Sequence, residues 1–305
     1  MKSRTVLISR NAIIVSFIIC LFGLEVTFAG EENKVPKDKA IKHLHPCISG
    51  GTKKTVFYVG QEAKDGSPIF NGTVFLVQYD GHPYAVTAKH VVAGLYETLK
   101  DSEFTFFLNQ VDGTGLQLKQ DWIMRRTGGK WLLSEAADIA VMPFLLSDNF
   151  DLRLIPLDFF VTSDSLMELE DAFYISYQPG VESPGRITPI VRSGTISIIN
   201  PDNSFILDAF VFPGNSGSPV FIKPSIAYDD ISVSQGCKFI GVVSSYLPYR
   251  DVAISAQTKQ PRIIFEENTG LAYITAVQAL QDLFKTEEFK KQHYAFKEHI
   301  KQFAK

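Results

Sequence analysis

The chain has 305 residues, of which 45% are hydrophobic and 21% charged, and its formal net charge is −3. This balance is typical of a globular protein with a sizeable core, and it excludes a disordered or low-complexity chain. A slightly acidic chain without a basic stripe also argues against a nucleic-acid partner. Residues that favour β structure, such as Val, Ile, Phe, Tyr and Thr, are spread along the chain, so we predict a β-rich fold.

Residues 1–29 have the pattern of a secretory signal peptide. Basic residues open the segment, an apolar run follows at 12–24, and Ala29 ends it with the small side chain that precedes signal cleavage. An uncleaved membrane anchor is the alternative, but the run is short for a span, which needs roughly 20 apolar residues. Cleavage would remove three basic residues and one acidic residue, which changes the net charge to −5. We therefore predict a secreted or periplasmic protein that has no stable membrane insertion after cleavage.

Residues 30–52 are polar and rich in lysine, and they predict an exposed lead-in. Within it, His43, His45 and Cys47 resemble metal ligands. A proline interrupts this run and a fourth ligand is missing nearby, so we predict no metal site. Two cysteines remain after signal cleavage, Cys47 and Cys237. In an oxidising compartment they could form one disulfide, and two separately buried thiols are the equally supported alternative.

From residue 53 the sequence is organised as short predicted strands. Segment 73–79 is rich in residues that favour β-strands, Asp80-Gly81 provides a tight turn, and 82–88 returns, which predicts a β-hairpin. Further predicted strands are 104–108, 115–119 and 138–144 in a first set, then 172–177, 187–199, 204–212, 219–222 and 238–246 in a second. Strands at this spacing predict antiparallel sandwiches or barrels, with a linker near 145–168 between the two sets.

The last segment, 276–305, changes to a helical period. Its apolar residues recur among Lys and Glu, which predicts one or two amphipathic helices. Such a stripe either packs on its own domain or binds a membrane surface or a partner.

The segment 214–221, GNSGSPVF, places a serine between two glycines at the start of a predicted strand. A serine hydroxyl is a poor nucleophile unless a base lies within hydrogen-bond reach and an acid orients that base. His90 follows the predicted hairpin and is the candidate base, and Asp138, which precedes an apolar run, is the candidate acid. The backbone N–H groups of Gly214 and Ser216 could form an oxyanion hole. Taken singly, these residues also fit a structural histidine, a strand cap and a plain turn.

Together the three segments resemble the trypsin-like serine peptidases. Segments 87–90 (TAKH), 138–141 (DIAV) and 214–219 (GNSGSP) match that family's Thr-Ala-Ala-His, Asp-Ile-Ala-Leu and Gly-Asp-Ser-Gly-Gly-Pro blocks. They occur in the order His, Asp, Ser that this fold uses. The resemblance covers roughly 55–285 and is closest to the bacterial HtrA/Deg-type protease domain, without a PDZ domain.

This resemblance implies an all-β fold of two antiparallel six-stranded β-barrels with a C-terminal helical segment. The predicted peptidase domain is 53–275, and the helical extension is 276–305. Within the domain, the expected barrels are about 53–150 and about 165–275.

The implied activity is that of a serine endopeptidase that acts on polypeptides through an acyl-enzyme and needs no cofactor. The implied catalytic residues are His90, Asp138 and Ser216. A catalytically inactive binding module on the same fold and an esterase-like hydrolase with the same triad are the alternatives. The sequence leaves the oligomeric state open.

Three further residues are implied to bind substrate. Ser244 lies where the family supports its buried aspartate, Phe210 lies near the floor of the specificity pocket, and Tyr246 lies where many relatives have a glycine. Neither aromatic residue carries a negative charge, so we expect a narrow apolar pocket and no preference for Lys or Arg.

Overall fold

The computed structural model describes residues 51–99, 103–178, 181, 186–202, 204–223 and 237–303. The predicted signal peptide and nearly all of the predicted lead-in, with Cys47, lie outside these ranges. The described residues contain fourteen β-strands and four α-helices. The predicted β-rich class with C-terminal helices is confirmed.

The first half of the chain forms a sheet of eight strands. They are β1 (Val56–Glu62), β2 (Pro68–Tyr79), β3 (His82–Thr87), β4 (Thr105–Asn109), β5 (Gly115–Lys119), β6 (Leu132–Leu133), β7 (Ala140–Pro143) and β8 (Ile155–Pro156). Their order is β5-β4-β1-β2-β3-β7-β6, with β8 parallel to β2. The number exceeds the six strands that the resemblance implies. Two of the eight, β6 and β8, are two-residue pairings, too short for a sequence pattern to reveal.

The second half forms a closed barrel of six strands, the predicted number. They are β9 (Asp171–Ser176), β10 (Ile190–Ile199), β11 (Phe205–Asp208), β12 (Pro219–Ile222), β13 (Lys238–Ile254) and β14 (Pro261–Ala276). The order around the barrel is β10-β11-β14-β13-β12-β9. Strands β13 and β14 continue past the barrel, and their pairing ends at Ile254 opposite Pro261. The sequence patterns predicted a shorter β13, ending at residue 246.

Two helices interrupt the first sheet where none was predicted. Helix α1 is Lys89–Thr98 and helix α2 is Gln120–Thr127. α1 buries Val91, Val92 and Leu95. The segment predicted as a linker also packs on the core, since β8 and the side chains of Leu145 and Leu157 belong to it.

The C-terminal segment folds into α3 (Val277–Lys285) and α4 (Glu287–Phe303). Their buried apolar side chains are Val277, Leu280, Leu283, Phe284, Phe289 and Phe296. These residues share one core cluster with Phe75 and Val86 of the sheet and with Phe173 and Phe239 of the barrel. The apolar stripe therefore packs on its own fold, the first of the two predicted alternatives. Within the described ranges, none of the helices combines the length and the apolar character needed to cross a membrane.

Phe289 is expected to be a major contributor to this packing. Its ring is fully buried and lies 4.7 Å from Phe284 and 5.0 Å from Tyr79, measured between centroids. Phe289→Ala should lower the free energy of unfolding by about 3–5 kcal/mol in urea titrations, because it leaves a cavity in the core. Tyr294→Ala is the matched control on the same helix, since Tyr294 is 68% exposed and should cost little. Equal losses in the two variants would contradict this packing of α4.

Candidate active site

His90 and Asp138 meet where β3 ends. β3 pairs with β7, and this register places Thr87 opposite Ala140. Helix α1 starts directly after β3, so His90 stands in its first turn, while Asp138 stands just before β7. His90 Nδ1 lies 2.8 Å from Asp138 Oδ2, and the His90 backbone N–H donates to Oδ1 at 2.9 Å. The side chain of His90 is 50% exposed, so the ring remains accessible from solvent.

The carboxylate of Asp138 also completes the N-terminus of α1. The first turn of a helix leaves backbone N–H groups without partners, and Ala88 at the N-cap has no side chain to satisfy them. Asp138 supplies the missing acceptor from a neighbouring strand. Burial raises the pKa of Asp138, but hydrogen bonds from the His90 side chain, Ser244 and the His90 backbone outweigh this effect and lower the pKa to about 2. The group is therefore an anion at neutral pH.

Ser216 lies just before β12, opposite the middle of β13. Gly217 N–H donates to Val243 O at 2.8 Å, which places Ser216 beside the next residue of β13, Ser244. The hydroxyl of Ser216 donates to Ser244 O at 2.9 Å. Ser244 donates its own hydroxyl to Asp138 Oδ2. Ser244 thus links the serine segment to the carboxylate, and in the part of the chain that the structure describes Ser216 donates to Ser244 and not to His90.

The backbone before Ser216 forms a tight turn. Asn215 N–H donates to Phe212 O at 2.9 Å, with Pro213 and Gly214 at the two central positions. A proline followed by Gly214 with φ +93° is the signature of a type II turn. Within the described ranges, the N–H groups of Gly214 and Ser216 have no acceptor in the protein, so they are available to an incoming oxygen.

A neutral amide holds this turn from inside the protein. The side chain of Asn215 is fully buried, and its Oδ1 accepts from Phe212 N–H at 2.9 Å. Its Nδ2 donates to Tyr177 O. The turn is therefore fixed without a buried charge.

Two buried threonines of the first sheet hold the segment around Ser216 by hydrogen bonds. Thr73 N–H donates to Ser216 O at 2.9 Å, and Thr73 Oγ1 donates to Gly214 O at 2.9 Å. Thr87 Oγ1 in turn donates to Thr73 O at 2.7 Å. A Cβ at Gly217 would lie 2.1 Å from Thr73 O, so only glycine permits this approach. Sequence reasoning missed Thr73, whose only signal is a polar residue at a buried strand position.

The two predicted pocket residues take different roles in the structure. Phe210 is 55% exposed, and its ring lies beside Gly270, whose φ of +81° favours glycine. The Tyr246 hydroxyl donates to Glu266 at 2.7 Å, and Arg250 Nε donates to the other oxygen of Glu266 at 2.9 Å. Sequence reasoning also missed this carboxylate. Its ion pair with Arg250 offsets the negative charge beside Tyr246.

The remaining candidates are the cysteines and the metal cluster. Cys237 is buried and directly precedes β13. Cys47 lies outside the described residues, so its disulfide with Cys237 stays a prediction. His43 and His45 lie outside them too. Within the described ranges, no group of three or more His, Cys, Asp or Glu side chains is arranged to hold a metal ion.

Comparison with known proteins matches the part of the chain that contains these residues to a family. Residues 72–223 match the family model described as a trypsin-like peptidase domain, a range that includes His90, Asp138 and Ser216. No curated protein matches the sequence. Among solved structures, the serine endoprotease from Yersinia pestis is 15% identical with a TM-score of 0.43, and the match covers 76% of this chain and 62% of that one. An HtrA-type protease solved with a decapeptide is also 15% identical, with a TM-score of 0.41 and coverage of 75% and 61%. This chain thus spans less than two thirds of each of these structures.

Proposed function

Because residues 72–223 of this chain are a trypsin-like peptidase domain, we propose that the protein is a serine endopeptidase that uses His90, Asp138 and Ser216. The observation that carries the proposal is that Ser244 contacts both parts of the site: its hydroxyl donates to Asp138, which lies against the His90 ring, and its backbone carbonyl accepts from the Ser216 hydroxyl. The substrate is a polypeptide, and the product of the first half-reaction is an acyl-enzyme on Ser216.

The reaction starts with a change in the hydrogen bond of the serine. The hydroxyl of Ser216 turns from Ser244 O towards His90 by rotation about one side-chain torsion. Asp138 accepts the Nδ1 proton of His90, which leaves Nε2 free to take the hydroxyl proton as Oγ attacks the peptide carbonyl. His90 then gives this proton to the leaving amine. A water molecule, deprotonated by His90, releases the acyl group in the second half-reaction.

The negative charge that develops on the carbonyl oxygen needs donors that are already in place. The N–H groups of Gly214 and Ser216 supply them in this proposal, since neither has an acceptor among the described residues. Thr73 is a positioning residue for these donors, because it holds the carbonyl oxygens of the same two residues. Donors that are held in place before the reaction need no structural rearrangement as the charge develops, so their stabilising effect on the transition state is not reduced.

The proposal includes export from the cytoplasm. It rests on the basic start, the apolar run at 12–24 and the small residue Ala29. Expression in a bacterial host followed by N-terminal sequencing of the released protein should give Gly30 as the first residue. A full-length chain retained in the membrane fraction would mean that the segment is an anchor.

A covalent probe separates this function from its two alternatives. A fluorophosphonate should label the wild-type protein and leave Ser216→Ala unlabelled, and casein digestion should be lost in the same variant. Ser218→Ala is the matched control, because Ser218 is buried two residues away and should leave labelling intact. Labelling without digestion of casein would indicate an esterase-like hydrolase. Folded wild-type protein that does not label would indicate a non-catalytic binding module.

A further inference from the structure

Beyond the barrel, β13 and β14 form a two-stranded arm, defined here as residues 247–269. Its pairing runs from Pro248 opposite Asn268 to Ile254 opposite Pro261. Six large apolar side chains on it are between 42% and 63% exposed: Tyr249, Val252, Ile254, Ile263, Ile264 and Phe265. These side chains lie on both faces of the ribbon. An isolated two-stranded ribbon is marginally stable in water, and exposed apolar side chains grouped on it mark an interaction surface.

The arm is continuous with the candidate active site. β12 pairs with β13 only as far as Val242, and beyond the contact with Val243 this edge of β13 is open within the described ranges. The first residue of the open edge is Ser244, whose carbonyl oxygen holds the hydroxyl of Ser216. A bound polypeptide whose scissile carbonyl lies at the Ser216 hydroxyl therefore extends along the open edge of β13 on one side of the site. The continuation of that strand is the arm.

The base of the arm is tied to the site by the Tyr246–Glu266–Arg250 contacts. Beyond them, Val252 lies opposite Ile264, and the strand ends at Ile254. Residues directly opposite each other in a ladder share a face of the ribbon. At about 3.3 Å per residue, eight residues separate Tyr246 from Ile254 by roughly 26 Å. A patch at this distance can contact a polypeptide about eight residues away from those in the site.

We propose that the arm is a second binding site for the substrate, one that takes an extended apolar segment remote from the scissile bond. This inference rests on the proposed peptidase function. The charged side chains of the arm are Arg250, Asp251, Lys259, Arg262, Glu266 and Glu267, which balance, so an uncharged apolar segment fits it best. Pairing of two arms edge to edge is disfavoured, because Pro248 lacks an N–H and the register shifts after Tyr246 and after Ala253.

The test uses quenched fluorescent peptides that share one cleavage site. Each carries a ten-residue extension, either apolar or Gly-Ser, on the N-terminal or the C-terminal side. On one of the two sides, kcat/KM should be at least tenfold higher for the apolar extension with the wild-type protein. In the double variant Ile254→Ser, Ile264→Ser this ratio should fall close to one, while kcat/KM for the unextended peptide is unchanged. Arg262→Ser is the matched control on the same arm and should keep the wild-type ratio.

Binding without cleavage separates failure of the arm from failure of the chemistry. In Ser216→Ala, fluorescence anisotropy should show binding of the apolar-extended peptide, and Ile254→Ser with Ile264→Ser should abolish it. A peptide that binds but is not cut by the wild-type protein contradicts the peptidase function and leaves the arm site standing. An unchanged ratio in the double variant overturns the arm site. Analytical ultracentrifugation gives a second outcome that overturns the arm site. If the wild-type protein is a dimer and the double variant is a monomer, the arm joins two copies of the chain.

Discussion

Replacing His90 by Ala is expected to lower kcat for peptide hydrolysis by about 10⁶-fold, because base and nucleophile act as one unit. The loss should come without unfolding. The His90 side chain is 50% exposed, and Asp138 keeps its hydrogen bonds from the backbone N–H of residue 90 and from Ser244. Initial rates on a short peptide measure kcat, and thermal unfolding monitored by circular dichroism measures the stability.

Two further variants test whether the loss is specific to the His90 side chain. Glu97→Ala is the matched control, since Glu97 is an exposed residue of the same helix and should keep the wild-type rate. The double variant His90→Ala, Ser216→Ala should be no slower than Ser216→Ala alone, because the second replacement removes a group that has already lost its partner. Losses that multiply would show that the two residues do not act in one step.

Much of the scaffold was predictable because its signals are local. The β2–β3 hairpin was predicted from two strand-favouring segments and from Asp80-Gly81 between them, and both turn residues adopt positive φ. The predicted segments 115–119 and 219–222 coincide with β5 and β12. Helix α1 was missed because its ten residues include a glycine and two valines, which lower its intrinsic helix propensity. Burial of Val91, Val92 and Leu95 stabilises the helix despite this low propensity.

The arm was missed for a different physical reason. An alternating pattern reports one buried face of a strand, whereas apolar residues of the arm are exposed on both of its faces. Ile263 and Ile264 are neighbours in sequence, so their side chains point to opposite faces. A prediction that depends on one face of the strand being buried therefore does not detect the arm.

The three reactive residues could be proposed from sequence, but the groups that position them could not. Thr73 and Gly214 are 141 residues apart, and Ser244 and Asp138 are 106 apart. These contacts depend on the register between distant strands, which no short motif encodes. A short motif therefore identifies the residues that react, whereas the residues that position them depend on how distant strands pair.

Asp138→Asn is expected to lower kcat by about 10⁴-fold with little change in fold. The Asp138 carboxylate accepts from the His90 ring, from the His90 backbone N–H and from the Ser244 hydroxyl. All three groups around Asp138 are hydrogen-bond donors. An asparagine has only one oxygen that can accept, so its NH₂ group must face one of these donors. His90 then adopts the tautomer with its proton on Nε2, and it cannot take the proton of Ser216. Asp121→Asn is the control, since Asp121 is paired with an exposed arginine on α2, where its loss should leave the rate unchanged.

The pH dependence of stability gives an independent check on the same carboxylate. The pKa of Asp138 is lowered from 3.8 to about 2 in the folded protein, so its ionised form is favoured by folding. This stabilisation is fully present above the unfolded value and is lost as the pH falls through about 2. In urea titrations, the difference in unfolding free energy between wild type and Asp138→Asn should therefore shrink as the pH falls from about 4 to about 2. A difference that stays unchanged over this acid range would contradict the lowered pKa of Asp138, and a variant with wild-type kcat would remove Asp138 from the mechanism.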